Sequence, residues 1–65
     1  MKIIVNGEAL ETGALTLVAL LDALGKGEAK VATSLNETFV SKHQRAEHTL
    51  QEGDRVEIVA PRQGG

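Results

Sequence analysis

Four leucines, Leu17, Leu20, Leu21 and Leu24, recur at the spacing of one helical face. Thr16 stands before them as an N-cap residue, and Gly25 follows where a helix commonly ends in a left-handed residue. The helix so bounded is about two turns long at 3.6 residues per turn. That is too short to persist alone in water, so its leucine stripe must pack on a sheet.

Only aliphatic packing is available to hold the two together. The chain has 65 residues, one domain's worth, and no Cys, so it can form neither a disulfide nor a thiolate zinc site. Ordering such a chain costs about 100 kcal/mol at about 1.5 kcal/mol per residue. The offset has to come from a composition that is 42% hydrophobic, with one Phe and no Trp or Tyr.

The sheet is legible around the helix. Ile3-Ile4-Val5 is β-branched and stops at Asn6-Gly7, the dipeptide that suits a type I′ hairpin turn, and Glu8 to Glu11 is the returning strand. Lys26-Gly27-Glu28 is a loop. Val31 to Leu35 alternates, with Val31, Thr33 and Leu35 sharing a face, and Asn36-Glu37 turns it into Thr38-Phe39-Val40. Ser41 to Thr49 is polar and irregular, read as a loop with a helical turn over Gln44 to Glu47. Leu50 is the one large apolar residue near it and is expected in the core. Gly53-Asp54 is a turn, and Arg55 to Val59 is the clearest strand after the first. Both end strands are rich in Ile and Val, as a central parallel pair should be. Hairpin, helix, hairpin, long loop and last strand make an α+β layout over residues 1–60.

Pro61 closes the last strand, because it has no N–H to give a ladder. Residues 61–65 carry no apolar side chain large enough to dock and form a tail that is expected to be mobile, reaching about 17 Å when extended.

Few functions fit this composition. Seven Lys and Arg against nine Asp and Glu give a formal charge of −2, the basic residues are scattered, and Phe39 is the only aromatic of its class, which argues against nucleic acid. The longest apolar run, Leu17 to Leu21, is far too short to span a bilayer, and Met1 to Val5 runs at once into Asn6-Gly7-Glu8 without a signal peptide. The reading is a cytoplasmic domain, monomeric when free.

The side chains offer little chemistry. His43 and His48 are five apart, not the i, i+4 of a helical metal pair, and read as solvated loop residues. Ser34 and Ser41 lie in no nucleophile-elbow motif, and the carboxylates, Asp22 and Asp54 among them, are spread singly. No phosphate-binding glycine loop occurs. An enzyme is not expected. What remains is a carrier whose reactive group is on the chain itself, or an interaction module.

Gly64-Gly65 separates these two. A flexible linker end is the plain reading. The specific one starts from a C-terminal carboxylate, ionised at neutral pH with a reference pKa of about 3.5. Such a carboxylate can attack the α-phosphate of ATP to form an acyl-adenylate. Residues without Cβ can enter a narrow partner channel, and Pro61 would hold the base of the tail extended.

Met1 to Gly7 (M-K-I-I-V-N-G), Val31 to Val40 (V-A-T-S-L-N-E-T-F-V) and above all Gly53 to Gly65 (G-D-R-V-E-I-V-A-P-R-Q-G-G) resemble the ThiS family of sulfur carriers in thiamine biosynthesis. The resemblance covers essentially the whole chain. It implies a ubiquitin-like β-grasp fold, with a small mixed sheet packed on one main helix. It also implies a cycle in which a ThiF-like adenylyltransferase uses ATP and Mg²⁺ to adenylate the Gly65 carboxyl. A sulfur-donor enzyme, drawing ultimately on cysteine, then converts it to a thiocarboxylate, and a ThiG-like thiazole synthase takes the sulfur into the thiazole ring. Gly65 is by this mapping the reactive residue, with Gly64 and Pro61 serving entry into the partner's site. No cofactor would be bound by the chain itself.

Two positions depart from the family. Val40-Ser41-Lys42 stands where the family often has Val-Pro-Arg, and Arg45 where it often has an aromatic. Both fall in the loop, away from the tail in sequence, and bear on partner-surface details. The alternatives are another Gly-Gly carrier, such as the molybdopterin synthase small subunit or a thiolation carrier, and a β-grasp module like the TGS domains. For partner docking, period 2 sends Arg55, Glu57 and Val59 outward if Val56 and Ile58 face the helix, and either Ile4 or the pair Ile3 and Val5 faces away. Ile4, Val59 and Phe39 are the candidate partner surface.

Overall fold

The computed structural model describes residues 1–60. Its elements are β1 (Lys2–Val5), β2 (Glu8–Glu11), α1 (Leu17–Ala23), β3 (Ala32–Leu35), β4 (Thr38–Val40), a 3-10 helix (Lys42–Glu47) and β5 (Arg55–Val59). The strands form one sheet in the order β2-β1-β5-β3-β4. Pro61, Gly64, Gly65 and the expected mobility of the tail lie outside the described residues.

Each hairpin is made by its turn. Asn6 and Gly7 take φ values of 51° and 85°, the left-handed pair a type I′ turn needs, and β1 pairs antiparallel with β2 from Lys2↔Glu11 to Val5↔Glu8. Asn36 and Glu37 do the same at 50° and 70°, joining β3 to β4. Both hairpins then meet on the last strand. β5 runs parallel to β1 (Ile4↔Arg55, Val5↔Val56) and antiparallel to β3 (Ala32↔Val59 to Leu35↔Val56). The last strand in sequence is thus the central strand of the sheet.

The helix ends are chemically specified. The Thr16 side chain accepts from the Ala19 N–H at 3.2 Å. Beyond the other end Gly25 has a φ of 75°, and the N–H groups of Lys26 and Gly25 donate to the carbonyls of Leu21 and Asp22, a Schellman closure. Between the caps, Leu17, Leu20 and Leu21 are buried, and Leu24 packs half-buried against them. With Ile3, Val40, Leu50, Val56 and Ile58 they form the core, each contributing about 1.5–3 kcal/mol by burial. Every one of these is aliphatic, and the single Phe is outside.

The loop after β4 is more ordered than its composition suggests. Its helical turn is a full 3-10 helix over Lys42–Glu47, entered through the Ser41 N–H donating to the Gln44 Oε1. After it, Thr49 bridges Thr16, and the Leu17 and Leu50 N–H groups donate to the carbonyls of His48 and Leu15. That short pairing is what delivers Leu50 into the core.

Arg45 corrects the sequence reading. Placed there in a surface loop, it is instead buried, at 7% exposure. Its Nε donates to Thr33 Oγ1 at 3.0 Å and its Nη2 to the Val31 carbonyl at 2.6 Å, while the Thr33 hydroxyl donates to the Val40 carbonyl at 2.8 Å. The guanidinium is buried with acceptors of its own. No helix among the described residues is long and apolar enough to cross a membrane.

Candidate functional site

The sheet has one face against α1 and one open face. In β5 the burial alternates residue by residue: Val56 and Ile58 are in the core, and Arg55, Glu57 and Val59 are exposed. In β1 Ile3 is buried, Val5 packs against the core, and Ile4, lying beside Arg55 in the register, is on the open side. In β4 Phe39 is exposed and pairs with Ser34, which pairs in turn with Glu57. The three candidates Ile4, Phe39 and Val59 therefore share the open face.

They are not one continuous apolar patch. Phe39 and Val59 are exposed at 67% and 59% and sit toward one side, with Ser34 and Ala32 as their partners on β3. Ile4 is half-buried on the other side, beyond Arg55 and Glu57. Between them lie one ion pair and one hydrogen-bonded carboxylate. Arg55 Nη2 lies 3.1 Å from Glu37 Oε2, and the Ser34 hydroxyl donates to Glu57 at 3.2 Å. Ile4, Gly7, Glu37, Arg55, Val56 and Glu57 line a shallow depression of about 330 Å³ in the middle of this face. The face has an apolar edge and a polar centre of one cation and two carboxylates, and among the described residues it holds no nucleophile or acid–base pair.

The last residue of β5 lies on the same face. Val59 is the final residue of β5, paired with Ala32, and the chain continues from it to residue 60. Pro61, Gly64 and Gly65 follow outside the described residues, so the face and the exit of the chain toward them are contiguous.

The other candidates are dispersed. His43 is exposed and His48 half-buried, on and after the 3-10 helix. Among the described residues no three of His, Cys, Asp and Glu gather where they could hold a metal ion. Ser34 is engaged with Glu57, and Ser41 opens the 3-10 helix. Two features escaped the sequence reading: the burial of Arg45, for which the local pattern held no signal, and the gripping of β5 by Asn6 and Asn36, for which asparagine at the first place of each turn was the signal.

Comparison with known proteins agrees with this geometry. The pattern of the ThiS family matches residues 3–65. The chain is 41% identical over 66 residues to a thiazole synthase from Paramagnetospirillum magneticum, an alignment covering all of this chain but 20% of that protein, so the chain spans about a fifth of that relative's length. It is 32% identical over 66 residues to the sulfur carrier protein ThiS of Escherichia coli, covering the whole of both. The crystal structure of a thiamine biosynthesis protein (ThiS) from Geobacter metallireducens matches over the whole of both chains with a TM-score of 0.86 and 32% identity. An NMR solution structure of a thiamine biosynthesis protein from the same organism gives 0.80 and 30% identity, over all of this chain and 88% of that one.

Proposed function

The chain belongs to the ThiS family of sulfur carriers in thiamine biosynthesis, with the β-grasp fold of that family, and we propose that its sulfur is carried as a thiocarboxylate on Gly65. It is a carrier and not an enzyme; the catalytic groups belong to its partners. The observation that carries the proposal is that the family match runs through Gly65, at the end of the chain leaving the central strand β5.

A terminal carboxylate is a poor electrophile and must first be activated. In the proposed cycle one carboxylate oxygen of Gly65 attacks the α-phosphorus of ATP in an adenylyltransferase, with Mg²⁺ held there, and pyrophosphate leaves. The acyl-adenylate carbonyl then accepts a sulfide equivalent from a sulfur-donor enzyme, and AMP leaves with the oxygen. Gly64 and Gly65 present no Cβ to the channel that receives them, and Pro61 stiffens the base. A thiazole synthase consumes the sulfur. This assignment is supported by the relative named thiazole synthase, in which a segment like this chain makes up a fifth of one polypeptide. The open face, with Phe39, Val59 and Ile4, is the docking surface in this reading, because it adjoins the exit toward Gly65. The cycle is read as a cytoplasmic one.

Intact-mass analysis tests the proposal directly. After incubation with an active adenylyltransferase, ATP, Mg²⁺ and a sulfur donor, the mass should rise by the difference between one sulfur and one oxygen, with the change on Gly65. An unchanged mass beside a demonstrably active partner would overturn it.

A further inference from the structure

Among the described residues Arg45 is a buried cation without a counter-ion. The ion pairs among the described residues join the N-terminus to Glu11 and Arg55 to Glu37; none involves Arg45. Its guanidinium has five N–H donors. Nε and Nη2 are spent on Thr33 and Val31, both uncharged acceptors. No buried side-chain nitrogen or oxygen among the described residues lacks a partner, so Nη1, which makes no hydrogen bond there, reaches the surface. Arg45 also lines a depression of about 350 Å³ together with Glu28, Ala29, Lys30, Val31, Ala32 and Lys42.

We infer that this pocket binds a tetrahedral oxyanion of the phosphate or sulfate class. Lys30 and Lys42 stand with Arg45 around one concavity, and Glu28 is the only carboxylate lining it, paired with none of them. Three cations against one carboxylate leave the lining at a net charge of +2, on a chain whose own net charge is −2. A dianion neutralises that lining, whereas a single carboxylate leaves one charge over. The guanidinium is fixed by its two internal hydrogen bonds, so little ordering of it is needed on binding. The two lysines reach in from the loop before β3 and from the 3-10 helix as mobile point charges. Every lining residue lies outside 61–65, and the phosphate titration needs neither ATP nor a sulfur donor, so its outcome is read apart from the sulfur chemistry.

The test is a ¹H–¹⁵N NMR titration of the full chain with sodium phosphate, against sodium chloride at matched ionic strength. Saturable shifts in the millimolar range should be confined to the amides of residues 28–32 and 42–45 and to the Arg45 Nε–H. The exposed double variant Lys30→Gln/Lys42→Gln leaves the buried network intact and should bind phosphate at least about tenfold more weakly. A parallel titration with AMP separates the sources: tighter binding than phosphate at these residues assigns the site to a nucleotide's phosphate group, and equal or weaker binding there to the free ion, either result supporting the pocket. Shifts that chloride reproduces, that do not saturate, or that the double variant leaves as tight would overturn it.

Discussion

The carboxamide of Asn6 pairs with the backbone of Ile58 as a neighbouring strand would. Its Oδ1 accepts from the Ile58 N–H at 2.8 Å, and its Nδ2 donates to the Ile58 carbonyl at 3.2 Å. Its own N–H donates to the Val56 carbonyl, so one turn residue continues the β1–β5 ladder past the end of β1. Asn36 does similar work on the opposite edge of β5, donating its N–H to the Arg55 carbonyl and accepting from the Arg55 N–H through Oδ1. Asn6→Gly keeps the left-handed turn and removes only the clamp. It should destabilise the fold by about 1–3 kcal/mol in denaturant unfolding, and hydrogen exchange at Ile58 should accelerate.

Glu37 sits at a φ of 70°, where a side chain costs about 1–2 kcal/mol. Against this stands its ion pair with Arg55, between two exposed side chains and worth about 0–1 kcal/mol. Glu37→Gly removes both, and relief of the strain outweighs loss of the pair. The variant should be more stable than the parent by about 1 kcal/mol, read from the denaturation midpoint.

Arg45→Ala strips the Val31 carbonyl of a donor and leaves a void beside Thr33, and should cost about 2–4 kcal/mol. Arg45→Lys should recover little of this, because an ammonium cannot reproduce the planar fork that serves both acceptors. Equal stability of the lysine variant and the parent would show that charge, rather than geometry, holds the site together.

Val59→Asp and Phe39→Asp change exposed side chains, and each should leave unfolding stability within about 0.5 kcal/mol. Each should nonetheless slow thiocarboxylate formation by the adenylyltransferase and sulfur donor, with the rise in half-saturating carrier concentration exceeding the fall in maximal rate. Unaltered kinetics for both would remove the open face from the docking surface.

Deleting Gly64 and Gly65 should abolish sulfur loading while the unfolding midpoint stays put. Among the described residues the buried core lies between Ile3 and Ile58, and the deleted glycines have no side chain to add to it. Rescue of a thiamine-requiring deletion strain by the shortened chain would refute the carrier mechanism.

Features set by neighbours in the chain were legible from the residues. Thr16, the leucine stripe and Gly25 define α1 locally, and Asn6-Gly7 and Asn36-Glu37 define both hairpins. The parallel pairing of β1 with β5 was legible because both strands are β-branched, and the open-face positions of Arg55, Glu57 and Val59 followed from strand period. The Asn6–Ile58 clamp spans 52 positions, and the Arg45 network joins three segments that nothing in the local pattern links. A polar run such as Ser41 to Thr49 reads as surface unless a specific acceptor awaits one of its members, and Thr33 and Val31 are such acceptors. The reactive end was read from its motif alone.

The position of β5 also has a mechanical consequence. The chain that leaves Val59 is the handle by which a partner would hold this domain. Tension on that handle acts along the axis of a strand bonded to β1 on one edge and β3 on the other. Such a load is borne in shear, so the ladder bonds and both asparagine grips must yield together rather than peel away one by one. An edge strand in the same role would unzip. Anchoring the handle at the centre of the sheet lets an enzyme tug on the last residue without loosening the body behind it.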